Sequence, residues 1–240
     1  MLILALESTA LTASAALWLD GEPLAVSSLT AGNTHSTTLL PLAEHLLKMT
    51  GRTVSDIDLF AAAIGPGSFT GIRIGAATAQ GLAFDSGKPC VGVSSLLGMA
   101  YALRGFSGIL CPVIGARRSQ FYSALFASDG EHVRRLTEDG IVLASELDGY
   151  LAPYDSPIHL IGDGYDAAHD AITLKNLCNT PQALRIPSAF AVAEAAFDLY
   201  TGTADKSVFT PSALTPIYLR KTQAEQEREE KLAAEAADIH

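Results

Sequence analysis

The sequence predicts an α/β protein made of two βββαβα halves. Short apolar runs of strand length alternate with longer segments of helical period, Asp-Gly turns stand at residues 20–21 and 129–130, and the elements around the first turn recur around the second.

In the first half, LILAL (2–6) and ASAALWL (13–19) are strands, and Asp20-Gly21 reverses the second of them into a third over 23–29. Leu39, Leu42, Ala43, Leu46, Leu47 and Thr50 recur at helical spacing with Gly51 at the stop. Residues 37–50 are therefore a helix, which Pro41 either opens or kinks. LFAAAIG (59–65) is a fourth strand entering a Gly-rich turn. A helix over about 70–84, a strand at 89–93 and a helix at 94–103 complete the half.

Aligning Asp129-Gly130 with Asp20-Gly21 lays strand on strand and Ser123-Ala124 on Ser14-Ala15. IHLIG (158–162) and a helix at 189–200 follow. The expected organisation is one lobe over 1–104, a second over 105–220, and a charged tail over 221–240 that is helical or disordered.

Composition narrows the function. The 240 residues are 48% hydrophobic and carry a net charge of −10, which disfavours unaided binding of nucleic acid. No apolar run approaches about 18 residues and no basic region precedes the apolar start, so a cytoplasmic chain without a membrane span is expected. Three widely spaced cysteines read as reduced core thiols. None of the six histidines pairs at the spacing of a helical metal site, so no metal is expected and a peptidase is disfavoured; no serine sits in a Gly-x-Ser-x-Gly elbow and no cysteine has an evident histidine partner, so no catalytic residue is named.

GPGSFTGIRIG (65–75) is the most specific string. It lacks the Gly-Lys-Ser/Thr ending of a P-loop, and Ser68 or Thr70 can cap the helix it opens. Gly71, Gly75 and Ala79 form a bare stripe that invites close approach of another helix, either 37–50 of the same chain or one from a neighbouring subunit. Glu7, Ser8 and Thr9 stand after the first strand, where they form either a phosphate contact or a capped strand end.

The duplicated plan is that of the actin-like (ASKHA, ribonuclease H-like) superfamily. LILALEST, HSTTLLPLAEHLL, GPGSFTGIRIG, VGVSSLLGMA and PIYLR together resemble the TsaB (YeaZ) family. That resemblance implies an accessory subunit without transferase activity that binds TsaD, with TsaE joining, in threonylcarbamoylation of tRNA adenosine. It further implies contact with tRNA only through the complex, a homodimer as the other assembly, no cofactor of its own, and ATP or ADP only at a complex interface. Two metal-binding histidines of TsaD fall on Ser95 and Met99 here. The implied partner interface comprises Leu39, Leu42, Ala43, Leu46, Phe69, Gly71, Arg73, Gly75 and Ala79. The family's Asp-Ala-Arg is replaced by Gly115-Ala116-Arg117, and its glycoprotease label finds no support in the residues. The competing reading is an ATP-hydrolysing actin-like enzyme.

Overall fold

The computed structural model describes residues 1–30, 34–84, 86–117 and 119–220; the tail at 221–240 lies outside the described residues. The first sheet is built from β1 (Leu2–Glu7), β2 (Ala13–Leu19), β3 (Glu22–Leu29), β4 (Leu59–Ala63) and β5 (Cys90–Val93), in the order β3-β2-β1-β4-β5. The meander β1–β3 is antiparallel and β4 and β5 add in parallel, as their helical crossovers require. Those crossovers are α1 (His35–Thr50) and α2 (Phe69–Phe84); α3 (Ser95–Ala102) follows β5. Pro41 lies inside α1, and Gly51 closes that helix in the left-handed conformation at φ 64°.

The second sheet comprises β6 (Gly108–Ala116), β7 (Gln120–Ser123), β8 (Phe126–Ser128), β9 (Val133–Arg135), β10 (Gly140–Leu143), β11 (Ile158–Ile161) and β12 (Leu177–Cys178). Its main path, β10-β7-β6-β11-β12, repeats the order of the first, the duplicated actin-like plan. Each long outer strand of the first half is here broken in two, because Leu125 between β7 and β8 donates its amide to Thr137 Oγ1 (2.8 Å) instead of continuing a ladder. The helices of this half are α4 (Leu147–Leu151), α5 (Tyr165–Ala171) and α6 (Ala189–Gly202). No helix among the described residues is long and apolar enough to cross a membrane.

Alternation along the strands divides each sheet into two apolar faces. One face of the first sheet, Leu2, Leu4, Leu6, Ala15 and Leu17, takes α1 and α2. Its other face, Ile3, Ala5, Trp18, Val91 and Val93, is covered by α6 from the second half. The exchange is mutual: α3 supplies Leu96, Met99 and Ala100, and Leu103 just after it, to Leu110, Ile114 and Ile161 of the second sheet. The two exchanged helices meet where Arg104 Nη2 pairs with the buried Glu194 Oε1 (2.8 Å) and the Tyr101 hydroxyl donates to Asp198 (2.7 Å). Gly98 sits at this crossing, its missing Cβ leaving room for Val192 at 3.1 Å.

Candidate functional site

The conspicuous turn closes around the end of β1. Ser68 caps α2 by accepting the Gly71 amide on its hydroxyl (3.2 Å), and its own amide donates to the Thr9 carbonyl (2.7 Å). Gly67 lies at φ 152°, and a Cβ there would stand 2.3 Å from the Thr9 oxygen, so only glycine fits this approach. The chain returns over α2 at its far end, where the Ile217 amide donates to the Ile64 carbonyl (2.7 Å) and Gln80 donates to the Pro211 and Leu214 carbonyls.

Glu7, Ser8 and Thr9 are brought together here and turned inward. Each is buried. The Ser8 hydroxyl donates to the Gly71 carbonyl (2.9 Å), while the Thr9 amide and hydroxyl both donate to Glu7 Oε1 at 2.6 Å. In this arrangement the two hydroxyls serve the fold, which favours the capped strand end over the phosphate contact.

Burial pushes the Glu7 carboxyl up from 4.5 to about 7, against the opposing pull of the Thr9 hydrogen bonds. Between those values the folded chain keeps a proton that the unfolded chain has released, so this group makes stability fall as pH rises from 4.5 to about 7 and level off above. Glu7→Gln keeps an acceptor for Thr9 and removes the titration. It is expected to raise stability at pH 8 by about 3 kcal/mol and to leave it unchanged at pH 4, read by urea unfolding at both. Parallel pH profiles for the two proteins would contradict this.

The bare stripe of α2 packs within the chain, correcting the expectation of a partner face. A Cβ on Gly71 would lie 1.8 Å from the Ser8 oxygen, one on Gly75 would lie 2.8 Å from the Ser8 hydroxyl, and Ala79 is fully buried. Leu39, Ala43 and Leu46 likewise point from α1 into the core of the first sheet. The physical reason is that α1 and α2 are the crossover helices over a small-residue sheet, and their smallest residues settle where backbone is nearest.

What reaches solvent is the opposite side. On α2 the exposed residues Thr70, Arg73, Ala77, Gly81 and Phe84 recur at spacings of three and four, and Phe84 is 79% exposed. On α1 the stripe runs through Leu42, His45 and Met49, the last 71% exposed. Leu42 and Ile74 are both half-buried against the same core cluster, and α1 and α2 are in contact. Of the interface residues expected from sequence, Leu42, Phe69 and Arg73 lie on this accessible side. Arg73 is held by stacking 3.8 Å over the Phe69 ring and by donating to the Tyr218 hydroxyl (2.8 Å). Sequence reasoning missed Ala77, Gly81, Met49 and Phe84; stepping back from Phe84 by helical intervals would have found Gly81 and Ala77.

Ser95 opens α3, Met99 lies one turn further along it, and both are fully buried. Ser95 Oγ accepts the Gly65 amide (3.1 Å), and its own amide donates to the Gly65 carbonyl (2.8 Å), so the residue pins the turn to α3. Met99 packs with Leu110, Ile114 and Ile161. Asp163 receives the Gly115 amide (2.9 Å), as a turn aspartate would. Among the described residues no group of three or more His, Cys, Asp or Glu converges.

Comparison with known proteins places this geometry. The family model described as TsaD, tRNA N6-adenosine threonylcarbamoyltransferase, matches residues 28–227. The tRNA threonylcarbamoyladenosine biosynthesis protein TsaB of Haemophilus influenzae is 31% identical over 229 residues, covering 91% of this chain and 93% of that one. The chain belongs to the TsaB (YeaZ) family. TsaB of Escherichia coli K12 is 36% identical over 156 residues, 64% of this chain and 63% of its own length. A Pseudomonas aeruginosa protein described as similar to peptidase YeaZ superposes with a TM-score of 0.75 at 26% identity, over 91% of this chain and 99% of that one.

Proposed function

We propose that this TsaB-family chain works in the biosynthesis of tRNA threonylcarbamoyladenosine as a non-catalytic subunit, binding TsaD, with TsaE joining, through the outer faces of α1 and α2. A second copy of the chain is the competing occupant of that face. The observation that carries the reading is α3. At the strand-to-helix corner where the resemblance places the transferase's histidines, Ser95 and Met99 are instead buried structural residues, one bound to the Gly65 backbone and the other in an apolar cluster. A hydroxyl and a thioether in those roles supply no hard-metal ligand set. Supporting it, α2 presents a solvent face of small residues ending in an exposed phenylalanine, a shape suited to helix-on-helix contact. The acidic balance of the chain supports a reading in which a partner holds the tRNA.

The reading is tested by reconstitution. TsaD and TsaE with tRNA, ATP and threonylcarbamoyl donor are assayed with and without this chain; modification is expected to need it, and equal modification in its absence would sink the proposal. The nucleotide-hydrolysing alternative has nothing comparable in its favour, since Glu7, Ser8 and Thr9 are engaged with one another and with α2.

A further inference from the structure

The outer stripe of α2 is small or apolar except at one place. Arg73 is the single charged residue of that helix, and its side chain is exposed yet held. The guanidinium lies 3.8 Å from the centre of the Phe69 ring and 5.6 Å from that of Tyr218, and its Nε donates to the Tyr218 hydroxyl (2.8 Å). The two rings brace each other, their centroids 4.8 Å apart. Tyr218 arrives on the returning C-terminal segment, which the Ile217 amide fastens to Ile64. The Nε bond uses one N–H of the guanidinium. Its two Nη groups meet no acceptor among the described residues, and no carboxylate among them pairs with Arg73.

This has a consequence for whatever docks on the face. A helix laid against Ala77 and Gly81 comes close, and it strips water from Arg73 one turn earlier on the same stripe. A guanidinium taken out of water without a partner is strongly unfavourable, so the docked surface must bring an acceptor of its own. Phe69 and Tyr218 restrict where the fork can sit, and a fixed fork suits the two oxygens of a carboxylate. A phosphate fits less well, because Arg73 stands alone on α2 and phosphate binding rests on clustered cations. We infer that Arg73 is the polar anchor of the α1/α2 face and takes an Asp or Glu side chain of the docked subunit, with Tyr218 positioning the guanidinium. This rests on the face being the docking site, as proposed above, and adds the chemistry that a partner presents opposite the first turns of α2.

Association of the full chain with TsaD and with itself is measured by sedimentation at low and at high salt, with the Ala77→Arg, Phe84→Glu double variant as a report on the face as a whole. Arg73→Gln is expected to weaken association by about tenfold or more at low salt, to flatten its salt dependence and to leave the thermal melt intact. Arg73→Lys keeps the charge without the fork and is expected to recover only part of the loss. Tyr218→Phe keeps the ring on Phe69 and removes the acceptor of Nε. It is expected to weaken association by about threefold in the native chain and not at all beside Arg73→Gln, a coupling that a purely structural role would not produce. On the partner, one Asp or Glu is expected whose amide variant costs the native chain as much as Arg73→Gln does and costs the Arg73→Gln chain nothing; a scan of the partner's acids that finds none overturns the inference. Undiminished association by a folded Arg73→Gln chain, where the double variant still disrupts it, overturns the inference and leaves the face standing. If the double variant is also without effect, the face is not the docking site and both readings fall. Tighter association by Arg73→Gln overturns the inference as well, because the guanidinium would then be held within the chain by an acid of the 221–240 segment, which begins its carboxylates at Glu225.

Discussion

Gly71→Ala is expected to cost the protein about 3 kcal/mol or more in urea unfolding. The added carbon would arrive 1.8 Å from the Ser8 carbonyl oxygen, and backbone, unlike a flexible side chain, has nowhere to swing. Both sides of that contact are held. Ser8 donates its hydroxyl to the Gly71 carbonyl, and the Ser68 amide just before α2 donates to the Thr9 carbonyl, so moving α2 away breaks the bonds that seat it. Gly81, ten residues later in the same helix, faces open space. Gly81→Ala is expected to stabilise by about 0.5–1 kcal/mol, which is the helix propensity difference alone. A Gly71→Ala protein as stable as the native one would show that α2 is not seated on β1 as described.

The largest effect on function is expected from the opposite side of α2. Ala77→Arg combined with Phe84→Glu places bulk in the middle of the exposed stripe and a charge at its end, where neither side chain has a role in the core. The thermal melt is expected to stay within a degree or two of native, while association with TsaD or self-association weakens by about 2 kcal/mol or more, near thirtyfold. Sedimentation and co-purification measure it. Unchanged association by a folded double variant would remove this face from the proposed function.

The contrast between these two experiments marks what could be read from the sequence. Strands at 2–6, 13–19 and 59–65, both crossover helices and the repeat in the second half follow from short-range periodicity, and they fall where the pattern put them, with α1 starting two residues early at His35. The Ser68 cap is local chemistry and was equally legible. Gly71 and Gly75 misled because a stripe of small residues says that something comes close without saying what. Ser8 lies more than sixty residues away, and only the parallel pairing of β1 with β4 brings it there. Phe84 was passed over for the converse reason, since a large apolar residue at a helix end usually points inward. The destination of α6 was hidden for the same cause as Ser8. Its alanines fit any flat apolar surface, and nothing local tells which sheet they will meet.

The exchange of α3 and α6 has a consequence for how the chain is made. As it leaves the ribosome, the first sheet can be complete once Val93 is out, yet Ile3, Ala5, Trp18 and Val91 remain bare on one side until Ala189–Gly202 has been synthesised. At about 5–20 residues per second that interval is roughly 5–20 s, long compared with the collapse of a strand meander. Through that interval the nascent polypeptide carries an aliphatic surface with no cover of its own, a substrate for holding chaperones, and its last structural helix is the piece that ends the exposure.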